Sequence, residues 1–282
     1  MTNNFHIPEN HPRAESLRIR EKLIEGFERG LVALAGLIAH GRGECFDYIL
    51  GEKTLPFAFE AEKAAVAMML LSKNPVISVN GNVAALCADE IVKFAKTVDA
   101  KVEVNLFYRS LKREAKIAEI LKNKGLKVIL GVGCEASSEI PNLSSLRRKV
   151  SPKGIFLADT VLLAIEDGDR TEALRKMGKN VIAIDLNPFS RTALWASITI
   201  VDNVVRALPN MIKIAENLRF EDRFKLKSIL TSYNNCENLC KIVDFMCRRL
   251  KIFAEKGLLK PNMTSKIEVL EKRIISEIIG ER

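Results

Sequence analysis

NPVISVNGNVAAL, residues 74–86, sets the fold. Its first half is a short β-branched run with no polar alternation, which predicts a strand buried on both faces. The run ends in Asn-Gly-Asn and passes directly into a helical pattern. Five further runs share this build: AKVEVNLFYR (100–109), LKVILGVG (126–133), VLLAIEDGDR (161–170), NVIAIDLNPFSR (180–191) and SITIVDN (197–203). Each closes on a polar or glycine-rich cluster. Helical patterns fill the gaps at 83–97, 110–124 and 171–178. Strands alternating with helices predict an α/β fold: an open, mainly parallel, doubly wound sheet of six strands with helices on both faces.

In such a sheet the ligand crevice lies beyond the carboxyl ends of the strands. The strand-end clusters therefore place Asn80, Asn82, Asn105, Arg109, Asp167, Asp169, Arg170, Asp185, Asn187, Arg191, Asp202 and Asn203 along one edge.

Working outward, Ser16 to about Leu37 has helical spacing, with Leu17, Leu23, Ile24, Phe27 and Leu31 on one face and Ser16 as N-cap. A polar turn is expected at His40–Glu44, then an alanine-rich helix over about 57–73. After 205 the strand signal stops. ALPNMIKIAENL and the stretches 222–255 and 264–279 read as helices, the last two separated by Gly257 and Pro261. The expected organisation is a helical N-terminal portion, 1–73, an α/β core, 74–204, and a helical C-terminal portion, 205–282, in one compact unit.

The chain has 282 residues, 48% hydrophobic and 28% charged, the balance of a globular protein. No stretch approaches the ~18 apolar residues of a membrane span; the run Leu31–Ala39 is too short. The first 18 residues lack the apolar centre of a signal peptide, so a cytoplasmic location without a membrane partner is expected. Six cysteines in a chain of this size read as free, mostly buried thiols. Cys236, Cys240 and Cys247 share a helical face, but with no CxxC pair and no nearby histidine a thiolate metal site is disfavoured. The net charge of +9 is concentrated at the C-terminal end, where residues 205–282 hold 16 Lys/Arg against 10 Asp/Glu. Nucleic acid is disfavoured as the partner, because Phe220, Phe224, Tyr233, Phe245 and Phe253 sit at core-like positions. Small anionic substrates better explain arginines in a crevice.

Several motifs carry candidate chemistry. In HGRGE (40–44) glycines flank Arg42, so the backbone can approach an anion that the guanidinium grips; a helix C-cap at Gly41 beside a solvated Arg is the plainer alternative. VNGN (79–82) is either an anion-binding strand-to-helix turn or a simple turn capped by Asn82. EDGDR (166–170) crowds three carboxylates and Arg170 at a strand end, where Asp167 and Asp169 could hold Mg²⁺ or an amine, or Asp169 or Thr171 could cap a helix. DLNPFSR (185–191) puts Asp185 where nucleotide folds hold a ribose, with Ser190 and Arg191 opening the next helix. GVGCEA (131–136) matches a dinucleotide pattern, but Ser137, Ser138 and Pro141 argue against a helix there. No P-loop is present.

Together AGLIAHGRGECFDYILGE (35–52), NPVISVNGNVAAL (74–86), EVNLFYR (103–109), EDGDRTEAL (166–174), IDLNPFSRTA (184–193) and ITIVDNVVRA (198–207) resemble archaeal 4-phosphopantoate–β-alanine ligase, the phosphopantothenate synthetase family. HPRAESLRIREKLIEGFERG (11–30) is similar too, and the likeness runs over roughly 11–220. It implies a homodimer with a Rossmann-like core that joins phosphopantoate to β-alanine in coenzyme A synthesis. ATP and Mg²⁺ would be used through an acyl-adenylate, releasing AMP and diphosphate. The family's ATP positions fall on Arg20, Arg42, Asp185, Leu186, Asn187, Arg191, Thr192, Asn203 and Val204. His40, Arg42, Asp167 and Asp169 are candidates for the chemistry, and Asn80, Asn82, Arg109 and Arg170 for the phosphopantoate; no residue is assigned to metal. Segment 134–153 and the tail beyond about 220 match more loosely. A nicotinamide oxidoreductase using GVGCEA and a basic nucleotide- or RNA-binding module are the rival readings.

Overall fold

A computed structural model describes residues 7–11, 13–256 and 264–280. Five strands form one parallel sheet: β1 (Pro75–Val79), β2 (Lys101–Val104), β5 (Thr160–Ala164), β6 (Asn180–Ile184) and β7 (Ile198–Ile200). Their spatial order is β2-β1-β5-β6-β7. The chain thus moves outward from β1 to β2, then returns to the other side of β1 and proceeds outward through β5, β6 and β7. β3 (Ser138–Glu139) and β4 (Lys149–Val150) pair separately as a small antiparallel ribbon.

The strands are short and apolar because both faces are covered. Ile77, Val79, Leu162 and Ile182 face one core with the helices Ala14–Glu28, Pro56–Leu71, Gly81–Thr97 and Val204–Leu218; Val76, Val161, Leu163 and Val181 face a second with the helix Gly168–Lys176 and the 140–158 segment. Helix α1 is Ala14–Glu28, α2 Leu34–Leu50, α3 Pro56–Leu71, α4 Gly81–Thr97, α5 Leu111–Asn123, α6 Gly168–Lys176, α7 Arg191–Trp195 and α8 Val204–Leu218. α9 (Arg223–Thr231), α10 (Asn235–Lys256) and α11 (Thr264–Ile279) complete the order, and a third core joins α2 and α3 to α10 and α11. The first core draws Leu23, Ile77 and Met211 from all three portions of the chain.

Several sequence expectations give way. The run 126–133 is not a sheet strand: it touches β2 through a single bridge, Leu130 to Glu103, Val128 is exposed, and Gly131 turns the chain away at φ +79°. The N-terminal helix ends at Glu28, because Gly30 adopts φ +72°. Its buried face is Ala14, Ser16, Ile19, Leu23 and Gly26, leaving Ile24 and Phe27 exposed, and Ser16 sits inside the helix with its hydroxyl donating to Arg13 O. The expected His40–Glu44 turn is the middle of α2, which runs on to a left-handed cap at Gly51. The stretch 222–255 is two helices, α9 and α10; Gly257 and Pro261 lie outside the described residues. Five of the six cysteines are exposed and only Cys87 is buried. Phe245 is core, but Phe220 and Phe224 are 80% and 82% exposed. Among the described residues no helix is long and apolar enough to cross a membrane.

Candidate active site

The sheet reverses its order between β1 and β5, and at such a switch point two strand ends splay apart and leave a crevice. A cavity of about 730 Å³ opens there, over the carboxyl ends of the strands. Its floor is the tips of β1, β5, β6 and β7, and the His40–Phe46 stretch of α2 lies across them. Asn80 fixes the opening. Its side chain accepts from Val83 N at 3.1 Å, capping α4, and donates to Ala164 O and Ile165 O at 2.8 and 3.1 Å across the switch point. Asn82, expected as the cap, instead donates to Gly36 O at 2.9 Å. A Cβ on Gly36 would lie 2.3 Å from the Asn82 side-chain oxygen, so only glycine lets α2 come this close.

Of the residues named from sequence, His40, Arg42, Asn80, Asn82, Asp167, Asp185, Leu186, Asn187, Ser190, Arg191, Thr192, Asp202, Asn203 and Val204 line this cavity. Arg20, Asn105, Arg109, Asp169 and Arg170 do not. Arg20 grips Glu44 with Nε and Nη2 at 3.0–3.2 Å. Burial works against the Glu44 carboxylate, but hydrogen bonds from Tyr48 and Arg20 hold its pKa below the usual range. Asp169 pairs with Arg191, which also reaches Glu172 at 2.6 Å.

At the β6 end, Asp185 accepts from Ser190 Oγ at 2.5 Å and from Asn187 N at 3.0 Å. Burial raises its pKa, opposed by those two bonds and by the charge of Arg42. Ser190 caps α7 by accepting from Ala193 N. Thr192 donates to Glu166 O at 3.1 Å, tying α7 to the β5 tip. Asn203 caps α8 and donates to Asp47 at 3.1 Å. Asp167, rather than Asp169 or Thr171, caps α6, accepting from Arg170 N at 2.9 Å.

Four arginines line the cavity and differ in what neutralises them. Arg191 has Asp169 and Glu172; Arg147 has Glu166 at 2.5 Å and Asp167 at 3.0 Å. Arg113 bonds only neutral carbonyls, and Arg42 forms no hydrogen bond or ion pair among the described residues. An unneutralised guanidinium on the wall of a concave pocket is a ready anion site. His40 reaches both this cavity and a small polar one beside it, and its buried Nε2 has no hydrogen-bond partner. Burial lowers the His40 pKa and so favours the neutral ring.

Reasoning from sequence did not single out Arg113, Arg147 or Glu166. Arg147 comes from the loosely matching 134–153 segment. Asn105 Nδ2 donates to Arg147 O and Lys149 O at 3.1 Å, and Arg109 donates to Lys149 O at 3.1 Å and Gly131 O at 3.0 Å. The polar ends of the β2 run thus hold in place the segment that carries Arg147.

Residues 57–249 match the family model for phosphopantothenate/pantothenate synthetase. The chain belongs to this family. Among curated proteins, the 4-phosphopantoate–β-alanine ligase of Thermococcus kodakarensis is 49% identical over 253 residues, covering 90% of this chain and 97% of that protein. The ligase of the same name from Thermococcus onnurineus is 50% identical over 252 residues (89% and 96%), and that of Methanosarcina mazei 50% over 248 (88% and 97%). The synthetase-family match takes in every described strand and, but for Pro56, α3 through α9. Helices α1 and α2, which bring Arg20, His40 and Arg42, precede it.

Proposed function

We propose that this chain is an ATP-dependent amide ligase that condenses (R)-4-phosphopantoate with β-alanine to 4′-phosphopantothenate, in coenzyme A synthesis. The family and the names of its relatives support the ligase. The observation that carries the mechanism is the uncommitted Arg42 on the wall of the large cavity at the sheet's switch point.

In the adenylating route, a carboxylate oxygen of phosphopantoate attacks the α-phosphorus of ATP and the bond to diphosphate breaks. The amine of β-alanine then attacks the acyl carbon, the bond to AMP breaks, and the amine loses a proton. The first step brings anion against anion, so fixed cations must offset the repulsion. Arg42 and Arg191 line the cavity for that task, and Arg20 acts from behind by fixing Glu44 on α2. Asp185, Leu186, Asn187 and Thr192 at the β6 end, with Asn203 and Val204 at the β7 end, form the nucleotide side. Neutral His40 and ionised Asp167 face the reacting groups, where Asp167 orients the amine; Asp169 acts through Arg191. Asn80 and Asn82 border the acid substrate, whereas Arg109 and Arg170 support its site from outside.

Mg²⁺ fits as the companion of the nucleotide. No group of three or more His, Cys, Asp or Glu among the described residues could cage a metal, and Mg²⁺ is commonly held by one or two carboxylates plus substrate phosphates. Asp167 and Asp185 are the lining carboxylates closest in kind to that task. When bound, the ion would neutralise phosphate charge. The enzyme works in the cytoplasm as a homodimer on small-molecule substrates. The oxidoreductase alternative loses its motif, since Gly131–Ala136 opens no α-helix and Gly133–Glu135 is a single 3₁₀ turn.

The test is nucleotide analysis of purified protein with Mg-ATP, 4-phosphopantoate and β-alanine. AMP that forms only when both other substrates are present is the expected result. ADP in its place overturns the adenylate route, and no turnover overturns the ligase.

A further inference from the structure

Arg113 and Arg147 line the same cavity, at its β1 end. Arg113 projects from the first turn of α5 and packs on the start of α4: a Cβ on Gly81 would come within 3.0 Å of its Nη2. Its Nε and Nη2 donate to Leu31 O at 3.3 and 2.8 Å, and its Nη1 to Tyr108 O at 2.5 Å. Those carbonyls orient the guanidinium without cancelling its charge. Five N–H groups are available and three are used, so two remain for a ligand. Arg147 is 6% exposed and its Nε forms no well-aligned hydrogen bond. Glu166 is shared between Arg147 and the fully buried Arg170, at 2.5 and 2.7 Å. Three guanidinium charges here, on Arg113, Arg147 and Arg170, thus face two carboxylates, Glu166 and Asp167.

Two further facts fit an anion. Burial, and then the charge of Arg147, lower the Arg113 pKa, which fits two cations lining one pocket. The 17-residue α4 begins at Gly81 in the same wall, and its first amides have no intrahelical acceptor.

We propose that Arg113 and Arg147, at the N-terminus of α4, form the subsite that binds the phosphomonoester of the acid substrate. It lies at β1, two strands along the sheet from Asp185 at the β6 end, so the two phosphate-bearing substrates enter from opposite sides of the reacting carboxylate. The proposal rests on the ligase reading above.

The experiment compares wild type, Arg113→Lys and Arg113→Met on 4-phosphopantoate and on pantoate, the same acid without its phosphate, with ATP binding measured by calorimetry. The preference for the phosphorylated acid, as a ratio of kcat/KM, is expected to fall roughly 10- to 100-fold in Arg113→Met, the scale of a lost charge-assisted contact. Arg113→Lys should recover part of it, with ATP Kd unmoved in both. Inorganic phosphate should inhibit the wild type in competition with 4-phosphopantoate. An unchanged preference, equal losses on both acids, a loss confined to ATP binding, or phosphate competing with ATP would each overturn the subsite while leaving the ligase standing. No turnover by the wild type would remove both. If Arg113→Met does not fold, Arg113→Lys and phosphate inhibition of the wild type still decide.

Discussion

Asn80 at the end of β1 donates a 2.8 Å hydrogen bond to the carbonyl of Ala164 at the end of β5, across the point where the sheet reverses direction. The same side chain caps α4 through Val83 N. One buried amide therefore holds apart and aligns the two strand ends between which the cavity opens. Asn80→Ala is expected to cost about 1–3 kcal/mol, since buried partners are left unsatisfied. Asn80→Asp keeps the cap but sets a carboxylate against two carbonyl oxygens, and should be no better. Urea unfolding checks both; a stability within 0.5 kcal/mol (about the noise of surface substitutions) would dismiss the bridge.

Arg42 forms no hydrogen bond or ion pair among the described residues, so removing it should leave the melting temperature unchanged. If it faces nucleotide phosphates, Arg42→Ala lowers kcat/KM more than ~10-fold, about 1.4 kcal/mol of transition-state stabilisation. Full kcat/KM in the variant would take Arg42 off the site.

Gly81 has no room for a side chain. A Cβ would stand 2.2 Å from Leu31 O, the carbonyl that also orients Arg113. Gly81→Ala must push apart α4 and the α1–α2 connection, at a cost of roughly 1–3 kcal/mol. It should also raise KM for the acid substrate. Thermal melts and initial rates read the two effects separately, and a variant as stable as wild type would contradict the packing.

Glu62 is buried behind the β7 tip, and burial together with the nearby Asp202 pushes its pKa up to about 8. The folded value lies above the ordinary 4.5, so the folded state holds this proton more tightly than the unfolded chain. Stability from this group is complete below about pH 4.5 and is lost as pH climbs through 8. Glu62→Gln mimics the protonated acid, and melting curves across that interval should fall less steeply than those of wild type. Parallel curves would mean that Glu62 titrates normally.

The parallel α/β class was legible because buried strands leave a signature that survives without neighbours: short β-branched runs that end on polar residues. Five of the six runs are sheet strands. The sixth, 126–133, carries the same composition but lies beside an edge strand, where one bridge to Glu103 replaces a ladder. Burial on both faces is a property of the assembled sheet, and an apolar run cannot declare its own side. His40–Glu44 failed for a related reason: two glycines in five residues read as a turn, yet this stretch is held helical within α2, which lies over the strand tips.

Much of the candidate site was legible for the same reason as the fold. Strand-end polar residues must gather on one edge of a parallel sheet, so Asn82, Asp167, Asp185, Asn187 and Asn203 were placed by chain order alone. Which of them face the cavity and which serve as struts was decided by contacts across long sequence separations. Arg109 and Arg170 turned inward to carry the 131–149 segment and Glu166. Arg113 and Arg147 were silent, because a lone arginine on a helix start or in a loop has no local signal. Their charge matters only once the fold brings them into one pocket. The sequence by itself determined the alternation of elements and the edge where chemistry could gather. The tertiary structure alone decided which charges on that edge are already neutralised and which are left for a ligand, since ion pairing depends on distances that chain order does not contain.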